Sequence, residues 1–89
     1  MEIWVCSMTV PTLGETIVLG TFSDYLKAEE QARIWVNNRT DFNTETIDRS
    51  FDRINCIENI YYRAKMGNTY HHYTAQIERF FLDRLEGEV

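Results

Sequence analysis

Gly20-Thr21-Phe22-Ser23-Asp24-Tyr25-Leu26-Lys27-Ala28-Glu29-Glu30-Gln31-Ala32 is the stretch on which the fold turns. A strand-like segment ends at Phe22, and a helix begins immediately after it. Ser23 or Asp24 supplies the side-chain oxygen that caps the first free N–H groups. Phe22 stands just before them, where a hydrophobic staple sits. Tyr25, Ala28, Ala32, Trp35 and Val36 then recur at steps of three and four, which places one stripe against a core. The small Ala28 and Ala32 allow a close approach to a sheet. Glu29 and Glu30 favour the early helix and its positive dipole end. Asn37-Asn38-Arg39 ends the helix.

Upstream, residues 2–10 are rich in β-branched and aromatic types. Ile3, Val5 and Ser7 point one way and Trp4, Cys6 and Met8 the other, as expected of a central, covered strand. Pro11-Thr12-Leu13-Gly14 is turn chemistry. Residues 15–22 form the second arm of a β-hairpin.

Downstream, residues 40–50 are polar and poorly periodic, and read as a loop with room for one helical turn. Residues 51–58 are ambiguous between helix and strand. Gly67-Asn68 carries glycine at the first central position of a two-residue turn, as a type II′ hairpin requires. Such a turn pairs Tyr62 with Tyr73, Ala64 with His71, Arg63 with His72 and Lys65 with Tyr70. Tyr73, Ala75, Ile77 and Phe81 share a face. The rival is a helix over 51–66; the strand formers around the turn favour the hairpin. Arg84-Leu85-Glu86-Gly87-Glu88-Val89 reads as a frayed tail.

The expected fold is therefore one α+β domain over residues 1–89. A small antiparallel sheet of three or four strands packs against one main helix, in the order β-β-α-loop or short helix-β-β. With 44% hydrophobic residues, 26% charged residues, two Trp, five Tyr and five Phe, the chain has material for a real core. Its net charge of -5 comes from scattered acids. It carries no basic stripe of the kind that binds duplex nucleic acid. No signal peptide and no membrane span is visible, so a cytoplasmic protein is expected. Cys6 and Cys56 lie far apart without metal-ligand spacing, and two free buried thiols are expected rather than a disulfide.

Catalytic patterns are missing. The four glycines are isolated, so no phosphate loop or nucleophile elbow forms. His71 and His72 are adjacent on a strand and point to opposite faces, which argues against one shared metal. No cofactor, metal or catalytic residue is expected. Glu29 and Glu30 read as a solvated helix exterior.

The least generic feature is a gap in acidic charge. Residues 59–77 contain no Asp or Glu. They contain Tyr61, Tyr62, Arg63, Lys65, Tyr70, His71, His72 and Tyr73. Tyr and Arg anchor protein interfaces. The same set could clamp a single-stranded nucleic acid. The plain alternative is that the tyrosines fill the core edge and the bases solvate a strand. The expected function is a non-catalytic protein-binding module, with Tyr62, Arg63, Lys65, Tyr70 and His72 as anchors; the alternative is a nucleic-acid-directed regulator or decoy. One helix covers only one side of a small sheet. Either the 44–58 segment or a second copy of the chain, as a homodimer, then covers the other.

Met1-Glu2-Ile3-Trp4-Val5, a polar turn, Leu19-Gly20-Thr21-Phe22-Ser23, and Ala28-Glu29-Glu30-Gln31-Ala32 together resemble small bacteriophage-encoded β-β-α accessory proteins. The late segment from Tyr73 to Asp83 is similar to the strand that closes those domains. The resemblance covers residues 2–36 and 73–83, and residues 40–70 depart from it as a longer insertion. It implies a phage protein in a bacterial host cell that occludes and inhibits a host protein. It carries over no catalytic residue.

Overall fold

The computed structural model describes residues 2–10, 14–40 and 44–81. Its elements are β1 (Glu2–Val10), β2 (Glu15–Phe22), α1 (Tyr25–Arg39), β3 (Thr44–Asp52), β4 (Ile57–Met66) and β5 (Thr69–Phe81). The five strands form one sheet in the order β2-β1-β5-β4-β3, with every neighbour antiparallel. α1 carries the chain from one edge strand to the other across a single face. The proline turn and the C-terminal tail lie outside the described residues.

The sheet has five strands, not three or four, because residues 44–52 form an edge strand rather than a loop. The register against β4 shifts between Thr46 and Asp48, so Ile47 is an inserted bulge. The bulge breaks the two-residue alternation that marks a strand in sequence. It leaves Thr46 and Arg49, rather than Asp48, opposite the helix-facing Tyr62 and Ile60. Residues 51–52 end β3 and a turn leads into β4, so the rival helix over 51–66 does not form.

The core lies between α1 and one sheet face. Ala28, Ala32 and Val36 form the helix stripe and are fully buried. They meet Cys6, Met8, Ile60, Tyr62, Ala64 and Ala75, each with no exposed surface. Trp35 packs edge-to-face on Tyr73 at 5.8 Å and 78°. Asp24 is the cap: its Oδ1 accepts from the Leu26 N–H at 2.9 Å. The first turn contains no acid, and Lys27 stands there instead; Glu29 and Glu30 fall in the second turn.

A polar seam joins α1 to β3. Glu29, Arg33 and Asn37 recur every four residues and meet Arg49, Thr46 and Thr44 in turn. Glu29 accepts from Arg49. Arg33 Nη2 donates to Thr46 Oγ1 at 2.8 Å, and Thr44 Oγ1 donates to Asn37 Oδ1 at 2.5 Å. Glu29 is thus an ion-pair partner instead of part of a solvated exterior, while Glu30 remains exposed.

Candidate functional site

The β4–β5 hairpin forms with the register read from its turn: Tyr62 with Tyr73, Arg63 with His72, Ala64 with His71, and Lys65 with Tyr70. Gly67 has φ +64, while Asn68 is not in the positive-φ region. That pattern suits a type II′ turn and excludes type I′, which needs positive φ at both positions.

Alternation divides the eight candidate residues between the two faces of the sheet. Tyr61, Arg63, Lys65, Tyr70 and His72 project from the face that α1 leaves bare. Tyr62 and Tyr73 lie on the opposite face, at 0% and 7% exposure, and belong to the core. His71 shares that face and lines a groove near the end of α1 with Trp35 and Arg39. Tyr62, expected as an anchor, therefore cannot reach a partner on the bare face. Its ring packs under Arg33 at 5.7 Å. Burial pushes its hydroxyl up to about 12, and that hydroxyl has no hydrogen-bond partner. Residues 44–58 do not cover the bare face either, since they lie within the sheet and its turn.

Arg63 organises what remains. Its Nη2 donates to Glu45 Oε1 at 2.6 Å, and its Nε to the same oxygen at 3.2 Å. Its guanidinium lies over the Tyr70 ring at 5.0 Å. Tyr70 is 53% exposed, so one face of this stack is open to solvent. Among the described residues neither Lys65 nor His72 forms an ion pair. The result is a row of aromatic and cationic groups with Glu45 as its acidic rim.

Other chemistry has less support. Among the described residues no group of three His, Cys, Asp or Glu side chains could hold a metal ion. Cys6 and Cys56 are both free. Cys6 lies beneath α1, and burial pushes its thiol up to about 11. Cys56 is half-buried in the β3–β4 turn with φ 55. It sits beside Arg79, seven residues along β5 from His72 and roughly 23 Å away at strand rise. Among the described residues no helix is long and apolar enough to cross a membrane.

A groove of about 410 Å³ opens on the helix-bearing face, between α1, β3 and the ends of β4 and β5. Trp4, Tyr25, Phe51, Glu58, Ile77 and Arg79 line it. Sequence reasoning missed it, because its residues come from five elements and only the strand register brings them together.

Fold and site together define a one-helix, five-stranded α+β protein with one covered and one bare sheet face. No protein-family model, curated protein or solved structure matches the chain.

Proposed function

We propose that the protein is a non-catalytic binding module that docks a protein partner on the bare sheet face, along the β4–β5 hairpin. The observation that carries this reading is the alignment of Tyr61, Arg63, Lys65, Tyr70 and His72 on one uncovered face, with Arg63 already stacked on Tyr70. Tyr and Arg concentrate binding energy at interfaces, and Arg63 is held in place by Glu45 before any partner arrives. Pre-organisation of this kind lowers the entropy cost of association. The host-protein inhibitor implied by the resemblance to phage accessory proteins is one form of such a module, acting by steric occlusion.

The test is capture of one stoichiometric protein from bacterial lysate by the wild type and by the double variant Tyr70→Ala, Arg63→Ala. A control variant, Leu26→Ala, alters the exposed outer face of α1. The reading expects capture to survive the control and to fail with the double variant while the fold is retained. Unchanged capture by the double variant removes this face as the docking surface. Capture that vanishes steeply with salt and returns nucleic acid supports the alternative instead.

A further inference from the structure

We propose that the groove between α1, β3 and the ends of β4 and β5 is a nucleobase site, with guanine as the base it fits best. The groove is on the opposite face from the proposed docking surface, so this inference does not rest on that reading.

The walls are aromatic. Trp4, Tyr25 and Phe51 line the groove, and Tyr25 stands toward the Phe51 strand, its hydroxyl 3.3 Å from Arg49 Nη1. Trp4 belongs to β1 and Phe51 to β3, three strand spacings apart, roughly 14 Å. The groove's volume of about 410 Å³ admits a flat two-ring base above Ile77. Phe51 is 58% exposed at the mouth.

The floor carries one acceptor and one donor that make no hydrogen bond, the acceptor lying at ion-pair distance, 3.7 Å, from Arg49 Nη1. Glu58 Oε1 and Arg79 Nε are shielded from solvent and have no hydrogen-bond partner. Buried polar atoms are nearly always paired, so two orphans in one groove call for an explanation. They lie on adjacent strands, Glu58 opposite Ile77 and Arg79 two residues further along β5. A ligand edge with a donor beside an acceptor satisfies both after small side-chain rotations.

Charge decides which part of a nucleotide is recognised. Arg49 is paired with Glu29 and lies 3.7 Å from Glu58. Arg79 lies 3.6 Å from Glu2. Both arginines already face carboxylates, so the groove has no surplus positive charge for a phosphate. It suits a neutral ring. Guanine presents N1–H and N2–H to a carboxylate, and O6 and N7 to a guanidinium, a favoured arginine pairing.

The test is an amide NMR titration of the protein with guanosine, inosine, adenosine, cytidine and guanosine monophosphate. Guanosine should shift amides around Tyr25, Phe51, Glu58 and Arg79. Inosine, which lacks the N2 amine, should bind about tenfold more weakly, as for one lost hydrogen bond to a charged group. The monophosphate should bind no more tightly than the nucleoside. Glu58→Gln should abolish the preference for guanosine over inosine. Phe51→Ala changes an exposed side chain and so spares the fold; it should weaken every base about tenfold through lost stacking. Equal affinity for all nucleosides, no shifts at millimolar concentrations, shifts confined to the bare face, or a strong gain from the phosphate would each overturn the proposal.

Discussion

Tyr62 and Arg63 are neighbours in β4 and face opposite worlds. Tyr62 is fully enclosed beneath α1, while Arg63 stands on the bare face between Glu45 and the Tyr70 ring. The pleat imposes this division. It makes one residue a matter of stability and the next a matter of recognition.

The first prediction follows from Tyr62. Its ring fills the core but its hydroxyl is an unpartnered buried group. A buried hydroxyl without a partner is destabilising by about 1–3 kcal/mol. Tyr62→Phe keeps the ring and removes the hydroxyl, so its urea midpoint should equal or exceed that of the wild type. Tyr62→Ala should lose about 3–5 kcal/mol, as large aromatic truncations in cores do. A Phe variant much weaker than the wild type would show that the hydroxyl is satisfied.

The contrast also marks how far the sequence could be read. The first hairpin, a helix cap at Ser23 or Asp24, the Ala28–Ala32 stripe and the Gly67 turn all rest on local signals, and local signals were legible. The cross-strand partners Arg63–His72 and Lys65–Tyr70 followed from the length of the turn. β3 was not legible because the Ile47 bulge resets its alternation, and because the contacts that seat it, Thr46 with Arg33 and Thr44 with Asn37, are polar side-chain pairings to the preceding helix that leave no apolar period in β3. The facing of the tyrosines stayed open between core edge and interface for a different reason. Tyrosine suits both a core edge and an interface, and the deciding clue was small: Ala64 and Ala75 share the faces of Tyr62 and Tyr73. Two alanines in that row mark a surface pressed closely by a helix.

The second prediction concerns Gly67. A Cβ there meets nothing within 4 Å, so space is no obstacle. Its φ of +64 is the obstacle. Gly67→Ala should destabilise by roughly 1–2 kcal/mol, the cost of the left-handed conformation for a residue with a Cβ. Gly67→Asn should cost less, since asparagine tolerates that region. Thermal or urea unfolding measures both, and an alanine variant as stable as the wild type would contradict the turn geometry.

The thiols give a third prediction. Cys6 has no exposed surface and a thiol pushed up to about 11, whereas Cys56 is half-buried in a turn. With an alkylating reagent at neutral pH, Cys56 should be modified first. Cys6 should react only through opened molecules, at a rate that tracks unfolding. Peptide mass spectrometry distinguishes the two sites. Equal labelling rates in the native protein would mean that α1 does not seal the sheet.

The last prediction is a pH dependence with two opposed parts. Desolvation raises the Glu58 carboxyl above its ordinary 4.5, so the folded protein holds that proton more tightly than the unfolded chain does. The stability from this source is complete below 4.5 and is lost as pH rises through the raised folded value. Asp52 behaves in the reverse sense. The Asn55 side chain donates to it at 2.8 Å, and the backbone N–H groups of Asn55 and Ile54 donate at 3.2 and 3.0 Å. These bonds, the Asn55 side chain foremost, lower its carboxyl below the ordinary 3.8. Its contribution is present above 3.8 and is lost as pH falls through the lowered value. Glu58→Gln should therefore gain on the wild type as pH rises from 4.5 toward neutrality, while Asp52→Ala should lose ground only above the acid limb. Urea midpoints across pH 3 to 7 read both trends. A constant gap between Glu58→Gln and the wild type over that range would show that the Glu58 carboxylate is as well solvated in the folded groove as in the open chain.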